Sequence, residues 1–386
     1  MTLNLQRVPY REPACSDLSE RQLRRYHLPF RQAVGALAMR HERIADLLLS
    51  FPALLFALAA PRRGLDCERA LRCVIEGRSL AEAAEAADVP MWLRKLPPEA
   101  FSRPLGRLPN GEVFRRQIMN HLPSSPRRAA MWLETVTDVA EFAHEAAAVW
   151  IARELVRGPR RAREPNWVKS GKLNFLSLWA WFSTEPETFG YGSIDRRWTP
   201  DIQIEAALEA AGAWHSKVGL HINLGMQPIA DVWLSAGSVD GYDFVALNSI
   251  PAIVDEAAWM KNCLLTYGRS LAVNRSRLWS VRRGGERIAT LQLGSDKRGD
   301  PLLNIVQLRG MRNEAVHRDV WWAARRWLHS HDLLQVEQGK RSWSAELLDR
   351  GAWQMFWRPY WLAKRRIPQW LPLAPSRSVF EALRAG

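Results

Sequence analysis

Cys263, Tyr267, Gln307, Arg309 and Asn313 are the residues of this chain whose types and spacing suit chemistry. A cysteine attacks as its thiolate, an arginine or backbone amide stabilises the negative charge that develops, and amide side chains orient a polar ligand. Cys263 has no histidine within one helical turn to act as a base, so a buried, inert thiol competes with a nucleophilic one. A second chemistry uses the same region. Gln307-Leu-Arg309-Gly310-Met-Arg312-Asn313 joins a strand pattern to a helix pattern. Amides at such a turn, with Arg309 and Arg312 adding charge and Asn313 as cap or ligand, can hold an anion. A plain strand–helix turn with solvent-facing arginines is the competing reading. The turn is not a Walker motif, and Gly-x-Gly-x-x-Gly is absent.

These residues must be positioned by the elements of Asp255–His331. Asp255–Tyr267 has a helical stripe of Trp259, Met260, Cys263, Leu264 and Tyr267, which places the cysteine on the apolar side. RLWSVRR-GG-ERIATLQL then has a hairpin signature, with Gly284-Gly285 supplying the positive backbone angles of a tight turn. Alternation sets Ala289, Leu291 and Leu293 on one face and Ile288, Thr290 and Gln292 on the other. A third strand follows, in which Leu303, Ile305 and Gln307 alternate with Asn304, Val306 and Leu308, and a helix carries Trp321, Trp322, Trp327 and Leu328. His317 and His331 lie about four helical turns apart, roughly 20 Å, so one metal cannot use both.

The rest of the chain frames this block. At 386 residues with 47% hydrophobic and 24% charged side chains, an ordered chain of two or three domains is expected. Lys and Arg total 54 against 40 Asp and Glu, a formal charge of +14, which favours an anionic partner: DNA, RNA or an acidic protein surface. Cys15, Cys67, Cys73 and Cys263 are too scattered for a disulfide framework, and no ligand spacing suggests a metal or another cofactor. The amino terminus lacks a signal-peptide core, and the longest apolar run, Phe51–Ala60, is too short to span a bilayer. A cytoplasmic protein with no membrane partner is the expectation.

Residues 1–157 read as a helical domain. Ser79-Leu-Ala-Glu82 is a capping box, and the stretch after it imitates a helix-turn-helix until Pro97-Pro98 cuts the second helix short. Ser125-Pro126 opens a helix expected to continue to Gly158, with His144 as a hydrogen-bonded rather than metal-ligating residue. Residues 158–170 form a basic, proline-rich linker, and Arg157, Arg160, Arg161 and Arg163 make a patch able to contact phosphates. Thr199-Pro200 caps a further helix, and residues 214–248 suggest loops with short elements. Residues 171–386 form an α+β domain whose tail interleaves Trp353, Phe356, Trp357, Tyr360, Trp361 and Trp370 with Arg358, Lys364, Arg365 and Arg366. Such a tail either stacks bases and neutralises phosphates or seals a core behind a basic rim, and Pro359 and Pro368 break it into short pieces.

With these motifs in view, Asp255–His331 resembles the PcfJ-like family, found with conjugative plasmids and other mobile elements. Its pattern is a His-Cys-Val-Gly-x-Tyr-like segment, a Thr-Leu-Glu-like strand, and a Gln-Val-Arg-Gly-like strand end with a nearby Asn. The matching stretches are Asn262-Cys-Leu-Leu-Thr-Tyr267, Ala289-Thr-Leu-Gln-Leu293, and Gln307-Leu-Arg-Gly310 with Asn313. Asn262 stands where the pattern has His, and Gln292 where it tends to have an acid. If the family used a His–Cys pair and a carboxylate, this chain would lack both partners and be a binding-only version.

The fold class expected is therefore α+β: a largely helical N-terminal half, then a mixed domain with a short antiparallel meander flanked by helices. The leading functional reading is a nucleic-acid-associated accessory protein of a mobile genetic element. A Cys263-dependent enzyme is the alternative, and a protein-interaction module with an exposed aromatic patch is the third.

Overall fold

The computed structural model describes residues 17–62, 67–106, 108–118, 122–123, 125–157, 172–225, 228–294, 303–333, 350–367, 374–375, 377 and 380–381. Backbone contacts divide the chain into two compact units, Met1–Trp181 with Trp198–Leu208, and Phe182–Arg197 with Glu209–Gly386. The α+β class holds: a helical N-terminal region precedes a mixed region with a small antiparallel sheet flanked by helices. The expected linker at residues 158–170 lies outside the described residues.

In the first unit the described elements are helices and 3-10 turns. Pro52–Ala59 is apolar on every side and buried on every side. The capping box forms, with Ser79 Oγ accepting from the Glu82 amide at 3.2 Å and Glu82 returning to the Ser79 amide at 3.0 Å. Beyond it, residues Met91–Lys95 and Pro98–Ala100 are 3-10 turns, so no recognition helix follows. The long helix expected from Pro126 is two helices, Pro126–Phe142 and Glu145–Arg157. Ala143 leaves helical geometry at φ −112°, ψ −114°, and His144 Nδ1 accepts the Ala147 amide at 3.2 Å to start the second. Trp132 and Trp150 anchor this packing by donating to the carbonyls of Ala152 (3.1 Å) and Ile202 (2.7 Å).

In the second unit, five strands form one sheet in sequential, fully antiparallel order: β1 (Gly237–Val239), β2 (Tyr242–Ala246), β3 (Ser276–Arg283), β4 (Glu286–Gly294) and β5 (Asn304–Arg309). The β3–β4 hairpin turns at Gly284 and Gly285, with φ of 59° and 85°. The β1–β2 hairpin extends the expected meander. Its turn, Asp240-Gly241, has φ of 54° and 76°, a signal present in the sequence that the mixed periodicity of residues 214–248 obscured. The helix expected near Thr199 begins at Ile204 and runs to Leu224, absorbing residues expected to be loop. Arg350–Lys364 of the tail is one helix, which continues through Pro359, and its Phe356, Trp357 and Tyr360 are buried, while Pro368 lies outside the described residues.

The sheet is covered on both faces. On one, Val320, Ala323, Ala324, Trp327 and Leu328 of the Arg318–His329 helix pack on Phe244, Trp279, Val281, Ala289, Leu291, Leu293 and Leu308. Trp327 stacks flat on Phe244 with centroids 4.5 Å apart. On the other face, the Ile250–Met260 helix and the segment after it bring Ile253, Ala257, Leu264 and Leu271 to Leu278. At the end of β4, a Cβ on Gly294 would lie 2.7 Å from the Arg275 carbonyl oxygen. Gly294→Ala is thus expected to cost about 1–3 kcal/mol, read by denaturant unfolding; an unchanged midpoint would show that the strands part freely there.

Two partly buried imidazoles tie this unit to pH. Burial holds His215 and His221 below their usual 6.5, and His221 lies edge-on to Phe189 at 4.9 Å. Because the unfolded chain takes up protons more readily, their stability contribution is intact above about 6.5 and is lost as pH falls through the lowered folded-state values. The melting temperature should decline between pH 7.5 and 5.5, and less steeply in the His215→Gln/His221→Gln protein.

Candidate functional site: a polar cleft at Cys263 and Arg309

The cleft exists because of two departures from regular geometry. The first is the end of the Ile250–Met260 helix. Ser249 caps its start, accepting the Ala252 amide at 3.4 Å, and Pro251 occupies its first turn. Lys261 takes left-handed angles (φ 50°, ψ 47°) and stops it, so the helix expected over Asp255–Tyr267 ends before Cys263. The chain re-enters a 3-10 turn at Leu264–Tyr267. The expected apolar stripe is therefore split: Met260 and Leu264 are buried, Trp259 is 53% exposed, and Cys263 is exposed rather than buried.

The second departure is a bulge between β4 and β5. Leu293 pairs with Ile305 and Gln292 with Gln307, leaving Val306 as an extra residue. Ile305 and Leu308 therefore pack with the core on one face, while Gln307 joins Gln292 on the other. The strict alternation of Leu303, Ile305 and Gln307 read from the sequence does not survive this bulge. Across the sheet the cleft face presents two rows, Ser280–Thr290–Arg309 and Leu278–Gln292–Gln307.

The resulting cleft is lined by Asn262, Cys263, Leu264, Tyr267, Leu278, Thr290, Gln292, Gln307, Arg309 and Asn313. Its interior of about 20 Å³ holds one water-sized group. Behind its wall lies a buried charge. Glu256, fully buried, accepts from Arg287 Nε at 2.9 Å and from the Thr290 hydroxyl at 3.1 Å. Arg287 also bonds Asp255 and lies over the Trp259 ring at 5.4 Å. Thr290 Oγ1 accepts from Asn262 Nδ2 at 3.2 Å, and Asn262 Oδ1 accepts the Leu264 amide at 3.3 Å. Tyr267 donates its hydroxyl to Gln307 Oε1 at 2.9 Å. Burial pushes the Tyr267 phenol up, and the neighbouring Cys263 adds to the rise.

Cys263, Gln307, Arg309 and Asn313 thus meet in one cleft, joined by Asn262 and Gln292 at the two positions where the resemblance departs from its pattern. Arg309 is exposed and has no hydrogen-bond or carboxylate partner among the described residues. Arg312 is exposed in the next turn but does not line the cleft. Gly310 and Asn313 spend their amides within the loop: the Gly310 amide donates to Glu314 at 3.0 Å and the Asn313 amide to Gly310 at 3.2 Å. The following helix starts only at Arg318 and is capped by His317, not Asn313. Neither of these two amides is left for an anion.

The other basic positions lie apart in sequence. Arg157 ends the Glu145–Arg157 helix in the first unit, and Arg160, Arg161 and Arg163 lie outside the described residues. Lys364 ends the tail helix; Arg365 and Arg366 are exposed, Arg365 over the Trp361 ring at 5.4 Å. Among the described residues no group of His, Cys, Asp and Glu is placed to hold a metal ion, and no helix is long and apolar enough to cross a membrane. Comparison with protein-family models, with curated proteins and with solved structures finds no match to this chain.

Proposed function

We propose that this chain is a nucleic-acid-associated accessory protein, serving a mobile genetic element, that contacts phosphates at the mouth of the Cys263–Arg309 cleft. The mobile-element setting rests on the resemblance of Asp255–His331 alone. The phosphate contact rests on one observation: Arg309 stands exposed at a cleft with no carboxylate among its lining residues and no partner of its own among the described residues. Arg312, in the adjoining turn, adds a second exposed cation, and the formal charge of +14 draws in polyanions from a distance. The test is direct binding of labelled single- and double-stranded DNA and RNA across a salt series. Binding that weakens steeply with salt supports the reading; no binding at low salt sinks it.

The exposure of Cys263 inside this cleft favours a second reading, thiol chemistry. In that reading Cys263 is alkylated faster than Cys67 and Cys73 in the folded protein; equal rates would remove it.

A further inference from the structure

The cleft has a hydrogen-bonding polarity, and its origin is the buried carboxylate behind it. A backbone N–H only donates, so the Leu264 amide fixes Asn262 with Oδ1 toward Leu264 and Nδ2 toward Thr290. Thr290 must then accept from Asn262 and send its own hydroxyl hydrogen to Glu256, an acceptor held in place by Arg287. Both ends of the chain demand the same direction. The Asn262 oxygen is consumed, and one of its N–H groups has no partner among the described residues. The Tyr267–Gln307 pair behaves alike. With the hydroxyl donating to Oε1, as in the structure, both N–H groups of Gln307 are left over; with the amide reversed, one N–H, the phenol hydrogen and Oε1 are. Arg309 adds donors only, while Gln292 and Asn313 can turn either end toward a ligand.

We infer that the cleft is a subsite for a single phosphate oxygen, recognised by N–H groups of Asn262 and Gln307, with Glu256 and Arg287 as positioning residues that set the polarity. One oxygen fits the roughly 20 Å³ interior, and the remainder of the phosphate sits at the mouth beside Arg309. A cation is disfavoured by the Arg309 guanidinium at the mouth. The choice of phosphate over other oxygen acceptors rests on the reading proposed above. The phosphate is either a nucleic-acid backbone group or free phosphate, and the two are separated by the probes.

The experiment uses Cys263, which lines the cleft, as its reporter. The full chain is alkylated with iodoacetamide alone, with inorganic phosphate, or with a single-stranded oligonucleotide, and modification of the Cys263 peptide is followed by mass spectrometry. In parallel, oligonucleotide affinity is measured across a salt series for Gln307→Leu, Asn262→Leu and Arg309→Glu/Arg312→Glu, with circular dichroism checking each fold. Loss of one charge-assisted hydrogen bond predicts roughly ten-fold to a hundred-fold weaker binding for Gln307→Leu. Its salt slope stays that of the wild type, because no charge is lost. Asn262→Leu serves as the second neutral variant should the first misfold.

Protection of Cys263 by the oligonucleotide with weakened neutral variants upholds the subsite with a backbone phosphate as ligand. Protection by inorganic phosphate without oligonucleotide binding upholds it with free phosphate and overturns the nucleic-acid reading. Wild-type affinity in the folded neutral variants, with Cys263 unprotected by either probe, overturns the subsite. The nucleic-acid reading then stands or falls on the arginine variant alone.

Discussion

Arg287→Ala is expected to lower the stability of the second unit by about 3–5 kcal/mol, the usual consequence of leaving a buried charge without its partner. Glu256 is fully buried and Arg287 is only 18% exposed, so solvent cannot replace the guanidinium that bonds Glu256 at 2.9 Å. Thr290 alone cannot compensate a carboxylate. Replacing both partners with apolar residues, Glu256→Leu with Arg287→Met, should recover most of the loss, since the desolvation cost of the pair disappears with it. Denaturant unfolding of the wild type, the single and the double variant measures both steps. A single variant within about 1 kcal/mol of wild type would mean that water reaches Glu256. Recovered stability in the double variant separates folding from the cleft's polarity, because Thr290 has then lost the acceptor that sets its direction.

The second large effect concerns binding. Arg309→Glu/Arg312→Glu should weaken nucleic-acid affinity on the order of a hundred-fold or more, since two exposed cations become two anions beside a polyanion. The slope of log affinity against log salt should also become shallower, by about 0.7 for each single-strand phosphate that the protein ceases to neutralise. Neither arginine has a hydrogen-bond or carboxylate partner among the described residues, so the melting temperature should stay close to wild type. A stable variant that binds as tightly as wild type, with an unchanged slope, would move the binding surface elsewhere. Lys364, Arg365 and Arg366 would then be the next positions to reverse.

Much of the scaffold was legible because local chemistry enforces it. Gly284-Gly285 can turn tightly where other residues strain, and Ser79 with Glu82 satisfies helix-start amides through side chains alone. The gathering of Cys263, Gln307, Arg309 and Asn313 was legible to the extent that three adjacent elements in a meander must bring their ends together. What the periodicity concealed was decided by single residues. Lys261 adopts a conformation usual for glycine, so a helical stripe that looked continuous was cut before Cys263. The role of Glu256 was hidden for another reason: a charged residue in a helix reads as exposed unless its partner, here Arg287 on β4, is known.

Val306 gives the cleft an unusual kind of dependence. The side of the sheet on which Gln307 lies is set by strand pairing rather than by residue spacing, because Ile305 and Gln307, two apart, face opposite sides only while Val306 stands outside the ladder. Deleting Val306 would make the ladder regular and keep Gln307 opposite Gln292, whereas drawing Val306 into the ladder would leave every amino acid of the cleft in the chain and turn Gln307 to the opposite side. A protein sharing this architecture is therefore recognised as sharing its cleft by how these two strands pair, even where each cleft residue, compared one by one, is identical.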